Sequence, residues 1–410
     1  MKIILTSKKL RLIAVIIVSI AFFTKCINNN KKDVVITNNS GEQFAGSSAC
    51  KNCHSELYKS FINTAHFHTS QAATKETILG SFNRGENVFS YSYYSKVAME
   101  ERDSGLYQVG YDKNFHQQQA YKFDIIIGSG TRGQSYLSWV KNRLIQLPIS
   151  FFTSAKAWAN SPGFPYYQPQ YTRAISARCL ECHSTYFKTL PGENITSPEY
   201  DRNQILYGVQ CESCHGPANK HVVYHQQHQG ETKGKFIDNL SSFTRQQKLD
   251  LCGFCHGGIR QSEKPAFSFS PGDTLSGSKR QTAAVQMHDV EVHDNQYALL
   301  SASKCFRMSN TMTCNTCHNT HQQERGNVAL FSKKCMNCHN YDKGSFCKMA
   351  PTLGNQITKN CIDCHMPQKE SKMLTLQLEG KANNSPSTLR SHVIAIYPGE
   401  TSKYLSVMKQ

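Results

Sequence analysis

The sequence predicts a mainly α fold with few regular elements, organised around repeated covalent attachment sites and interrupted by one β-rich insertion. Three observations predict it. Fourteen of the 17 cysteines fall into seven copies of Cys-x-x-Cys-His. Only 39% of the 410 residues are hydrophobic and 18% charged, so aliphatic side chains fill less of the interior than usual. Strand-like alternation is concentrated in one stretch, 87–153, between the first and second copies of the motif.

The seven copies run Cys50–His54, Cys179–His183, Cys211–His215, Cys252–His256, Cys314–His318, Cys335–His339 and Cys361–His365. Chance supplies far fewer than one such pentapeptide in a chain of this composition. Zinc knuckles need paired thiols but no histidine fixed after each pair. Here the histidine follows every time, which is the pattern of c-type haem attachment. Two cysteines three residues apart share one face of a helical turn. Cys50 and Cys53, Cys179 and Cys182, Cys211 and Cys214, Cys252 and Cys255, Cys314 and Cys317, Cys335 and Cys338, and Cys361 and Cys364 would each form two thioethers. The adjacent histidine then meets the iron from one face. Seven haems c, with proximal ligands His54, His183, His215, His256, His318, His339 and His365, are therefore expected on one polypeptide.

The sixth ligand must come from elsewhere. Of the 17 histidines ten remain: His66, His68, His116, His221, His225, His228, His288, His293, His321 and His392. That is enough to make every iron bis-histidine, which implies low potentials, whereas methionine would raise them. His321 lies three residues after His318 and His221 six after His215, too near to cross to their own motif's iron but well placed for a neighbouring one. His225 and His228 share a segment with His221 and stand as further candidates, with His68 and His288. His116, set among glutamines in a strand-like stretch, reads as a surface histidine.

Lys8, Lys9 and Arg11 precede an apolar run from Leu12 to Phe23, the length of a signal segment and too short to span a membrane. Residues 1–25 therefore read as a signal peptide or N-terminal anchor and 26–45 as a polar tether. Cys26 is a candidate for lipidation, although Phe23-Thr24-Lys25 departs from the small-residue pattern that processing prefers. The expected place is periplasmic or cell-surface. Residues 46–410 then form the haem-bearing part, with 55–78 helical, 87–153 β-rich and 176–410 carrying six haems on short helices and turns. Cys305 and Cys347, left over in an oxidising compartment, are expected to form a disulfide.

The formal charge of +17 falls to +12 without the five basic groups of residues 1–25. Each ferric haem adds about −1 and each ferrous haem about −2, giving about +5 oxidised and about −2 reduced. The basic composition is mostly counter-charge for propionates, which argues against nucleic acid as a partner. A polytopic membrane protein and a disulfide miniprotein are excluded by the same composition.

Several segments resemble multihaem cytochromes c related to hydroxylamine oxidoreductase and its tetrahaem electron acceptor. They are Phe44 to His54 with Tyr58 and Thr64-Ala65-His66, Gly208 to Pro217 with His221, Met312 to His321, Cys361 to Pro367, and Ser391-His392-Val393-Ile394. The resemblance implies a multihaem cytochrome c fold and distal-ligand roles for His66, His221, His293, His321 and His392. His293 is carried by Val292-His293-Asp294-Asn295-Gln296-Tyr297. Seven motifs match neither the four of the acceptor nor the eight of the oxidoreductase, and no Cys-x-x-Cys-Lys motif is present. Two activities stay open: an electron carrier serving redox proteins or quinol-linked membrane donors, or a reductase or oxidase of nitrite, hydroxylamine or tetrathionate at one open iron.

Overall fold

The computed structural model describes residues 34–408, other than 193, 259, 262–263, 276–278, 281–290, 294 and 381–383. Residues 1–33, with Cys26, and His288 lie outside the described residues. From Ile36 onward the chain forms one compact unit.

The expectation of a mainly α fold is overturned: 26% of the chain is helical and 25% is strand, in large antiparallel sheets. An antiparallel meander joins Val88–Ser92, Ser95–Arg102, Gly105–Asp112 and Gln117–Lys122. An eight-stranded sheet runs in the order Ser70–Ala72, Ile125–Ile127, Gly133–Val140, Ile149–Phe152, Ala157–Asn160, Gln368–Leu378 and Ser385–Arg390, with Arg143–Gln146 added beside Gly133–Val140. A third pair, Ser184–Thr189 with Tyr200–Tyr207, follows the second motif directly.

Alternation exposed the strands of 87–153, but those at 184–207 and 368–390 lie next to Cys-x-x-Cys-His motifs and were hidden by them. Helices are short because motif, cap and turn follow one another within a few residues. The stretch 55–78 shows why. Its helix runs only Ser55–Phe61, and by Ser70 the backbone has become a strand paired to Ile127. Thr64, a β-branched residue, bonds its hydroxyl to the Phe61 carbonyl (2.7 Å) and turns the chain there.

The aliphatic core lies in the sheets. One cluster packs Phe89, Val97, Met99, Phe123, Ile126, Tyr136, Leu147 and Trp158 between meander and large sheet. A second packs Ile125, Leu137, Leu144, Ile175, Leu180, Phe187 and Tyr200. Among the described residues, no buried member of these clusters, or of the small third one at Phe152, Ala159 and Leu376, comes from 201–375. That interval holds five of the seven motifs, and its buried apolar side chains, among them Leu249, Leu299, Phe306 and Ile362, join none of these clusters.

The stretch before the first motif is docked. Thr37 bridges to Gln43, Tyr186 donates to Asn39 Oδ1 (3.0 Å), and the Phe44 ring meets Tyr186 at 5.3 Å.

Candidate haem-binding site

The first motif opens on a one-turn helix, Ser47–Cys50, whose entry is clamped from the third motif. Glu212, the residue after Cys211, is 4% exposed and accepts from the amides of Ala45 (2.8 Å), Gly46 (2.9 Å) and Ala218 (2.8 Å). Burial raises its pKa, and those three amides work against the rise. Gln210 and Ser213 cap the short helix Cys211–His215 reciprocally. The thiols of Cys50 and Cys211 lie close enough to interact, as do those of Cys252 and Cys314. Motif one thus lies against motif three, and motif four against motif five.

The fourth motif occupies the last turn of the helix Arg245–His256, which Thr244 and Gln247 cap. The sixth ends the helix Val328–Met336, capped by Asn327 through the Leu330 amide (3.0 Å). Lys334 on that helix reaches the Cys317 carbonyl (2.7 Å) and Glu324 (2.5 Å), tying the fifth motif to the sixth. In the seventh, Arg390 bonds Asp363 (2.6 Å) and the Met366 carbonyl (2.8 Å).

Distal candidates are carried on turns fixed from afar. The His66 carbonyl accepts from the Val209 amide (2.9 Å). That approach needs Gly208: its φ is +66°, and a Cβ there would sit 2.1 Å from the Phe67 carbonyl oxygen. The hydroxyl of Ser60 holds the His321 carbonyl (2.6 Å), and that of the buried Ser303 holds the His392 carbonyl (3.0 Å). Glu291 accepts from the His293 amide (3.0 Å) and the Ser371 hydroxyl (2.6 Å), which fixes the His293 turn to the strand Gln368–Leu378.

Four of the five expected distal histidines face a proximal one. The ring centroids are 6.5 Å apart for His54 and His221, 6.3 Å for His215 and His321, 6.1 Å for His66 and His256, and 6.2 Å for His318 and His392. Two metal–imidazole bonds of about 2.0 Å, with about 1.1 Å from each nitrogen to its ring centre, sum to about 6.2 Å. Each pair is therefore spaced to hold one metal ion between its imidazoles.

Protonation agrees. Burial, with neighbouring imidazoles and, for His66, the Arg325 cation, lowers the pKa of both His66 and His392 to about 4, and burial also lowers His318 and His321. The neutral imidazole is the form that binds metal. Backbone carbonyls of Asp238, Ala395, Ser345 and Lys235 take up Nδ1 of His215 (3.0 Å), His365 (2.8 Å), His339 (3.2 Å) and His221 (2.8 Å). That leaves Nε2 of each for a metal.

The remaining candidates are placed differently. His68 directs Nε2 to the Ile62 carbonyl (2.7 Å), and His225 Nε2 accepts from the Lys235 amide (3.4 Å). His228 stacks on Tyr224 at 4.2 Å and is exposed. His116 is exposed and lies 3.3 Å from Asp112. Cys305 and Cys347 are not bridged in this structure. Cys305 lies within electrostatic range of Cys317 and Cys338, whereas Cys347 lies within that of Cys361 and Cys364.

One cavity of about 2480 Å³ is lined by residues of the first five motifs and by His66, His221 and His321. Single small-molecule pockets span about 300–1,000 Å³, so it has room for several large groups. The thiols, the facing imidazoles and this volume together fit covalent haem.

Residues 155–216 match the family described as cytochrome c554 and c-prime, and that segment holds the second and third motifs. The match supports a c-type cytochrome. It carries with it covalently bound haem c and a part in electron transfer. No curated protein and no solved structure matches the chain significantly. Among the described residues no helix is long and apolar enough to cross a membrane.

The residues that aim these histidines have little signature in the sequence. Glu212 carried a signal, since an acid inside an attachment motif has no role in attachment. Ser60 and Ser303 carried none, because their partners lie 261 and 89 residues away.

Proposed function

We propose that the chain is an exported heptahaem electron carrier related to hydroxylamine oxidoreductase and its tetrahaem acceptor. Haem iron supplies the chemistry, storing one electron as it passes from ferric to ferrous. The reading rests on the four facing histidine pairs. An iron held from both sides has no position for substrate, so His54 with His221, His215 with His321, His66 with His256 and His318 with His392 suit electron storage and transfer. The contacts of Cys50 with Cys211 and of Cys252 with Cys314 bring attachment points of different motifs together, which favours short transfer distances. Redox proteins or quinol-linked membrane donors would exchange electrons with it. Attachment through residues 1–25 or a lipidated Cys26 would keep it at the membrane.

A second reading, a reductase of a small nitrogen or sulfur compound, has one observation in its favour. Among the described residues His339 and His365 face no second histidine. Two measurements separate the readings. Intact mass of the mature protein should give seven haems. The ferric spectrum should stay unchanged when nitrite, hydroxylamine or tetrathionate is added. A high-spin signal that shifts with any of the three would hand the assignment to the reductase.

A further inference from the structure

The sixth motif differs from the first five in its surroundings. None of its residues lines the shared cavity, and Asn337, Cys338 and His339 are all exposed. Six cations stand around it, all exposed: Lys304, Arg307, Lys333, Lys343, Lys348 and Lys359. Two hydrogen-bonded links and one approach bring them to one face. The short helix Lys304–Met308 comes near, with the Cys305 thiol within electrostatic range of those of Cys335 and Cys338. The loop with Lys343 and Lys348 folds back on the motif: Ser345 donates to the Cys338 carbonyl (2.9 Å), and Lys343 to that of Asn337 (2.9 Å). The segment with Lys359 is tied to the motif's helix by the Cys361 amide on Ser332 (2.9 Å).

Carboxylates do not balance this face. Between Lys304 and Lys359 the chain has two acids, Glu324 and Asp342. Glu324 is engaged by Lys334 and Asp363, just beyond the interval, by Arg390, which leaves Asp342 as the unengaged acid of the interval against six cations. Two haem propionates would still leave a clear positive excess. Tyr341 (69% exposed) and Met308 (76% exposed) supply apolar area on the same elements. A second cluster of lysines and aromatics, Lys96 and Lys113 with Phe115 and Tyr94, sits on the meander. No residue of the meander's strands lines the cavity, so that cluster has no route to a redox group.

We propose that the face around Cys335–His339 is the docking surface for an acidic one-electron redox protein, with the sixth haem as the port of exchange. The inference rests on the electron-carrier reading and adds where the partner docks and what charge it bears. Opposite charge brings such a partner in by long-range attraction, while the exposed Cys338 and His339, with Cys335, would hold the redox group near the contact. In the exchange the partner loses one electron and one ferric haem iron becomes ferrous.

The test uses the full-length holoprotein and flavodoxin, an acidic flavoprotein, as reductant in stopped flow. The cationic complex hexaammineruthenium(II) serves as a partner-independent reductant. The wild-type rate with flavodoxin should fall at least about tenfold as salt is raised from low to above-physiological strength. Reversing Lys304, Lys333 and Lys348 to Glu should slow flavodoxin about tenfold at low salt and leave the ruthenium reaction as fast or faster. Reversing Lys96 and Lys113 should change the flavodoxin rate by no more than about twofold.

Equal rates for the two reversed proteins would overturn the docking site. So would loss of binding to phosphatidylglycerol vesicles in the Lys304, Lys333 and Lys348 variant while its flavodoxin rate held, since the face would then serve a membrane. Both results leave the electron-carrier reading standing. That reading falls separately if the ferric spectrum shows an iron that binds substrate.

Discussion

At the scale of single residues, the placement of the histidines depends on groups that fix their turns. Glu212 satisfies three amides from two segments while almost wholly buried. Replacing it with alanine leaves those donors unpaired, at a cost of roughly 1–3 kcal/mol for the set if water reaches part of the gap. The E212A holoprotein should melt several degrees lower and show an altered signal from the haem ligated by His54. An unchanged melt would mean that the clamp contributes nothing. His66 and His392 give the pH dependence its sign. Their folded pKa values lie at about 4 against an ordinary 6.5. Between those values the unfolded chain binds more protons, so stability rises with pH across the window and is fully present above 6.5. Iron coordination acts in the same direction, because a ligated nitrogen cannot take up a proton. Melting temperature should therefore fall from pH 7 to pH 4.5, and one that rose instead would contradict the burial of these two rings.

At the scale of elements, the sequence made the attachment sites plain and concealed much of what holds them. Cys-x-x-Cys-His is a local chemical pattern, so all seven sites could be read from the chain. His221 and His321 could also be read, because a ligand close behind its motif must serve a neighbouring iron, and the structure sets them against His54 and His215. His66 and His392 were visible only through family resemblance, since their partners His256 and His318 are brought to them by tertiary packing. The strands at 184–207 and 368–390 stayed hidden because they pair across distances that no local period records. Gly208 joins these levels, letting the third motif's approach pass against the His66 turn. A Gly208→Ala change forces a side chain into a left-handed position and against a backbone oxygen. The expected cost is roughly 1–3 kcal/mol, with a perturbed or high-spin signal from the iron between His66 and His256. Retention of both stability and spectrum would show that this close approach does not position His66.

At the scale of the whole molecule, two kinds of core share one chain. The sheets bury a conventional aromatic and aliphatic core, while 201–375 adds no buried member to those clusters among the described residues and carries most of the motif thiols and imidazoles. The composition already held this division, since a 39% hydrophobic chain cannot fill both halves with aliphatic groups. What it could not give was the extent of the sheets, which turned a mainly α expectation into a mixed fold. The apoprotein should therefore keep sheet structure while the motif-bearing region loses order, a difference that hydrogen exchange of a cysteine-free variant would reveal as protection confined to the sheets. The central claim is that four histidine pairs each clamp an iron. Spin-quantified ferric EPR of the holoprotein tests it most directly. The account predicts at least four low-spin irons, with loss of one for each of His66, His221, His321 and His392 replaced by glycine. Fewer than four low-spin irons, or four replacements that leave the count unchanged, would contradict it.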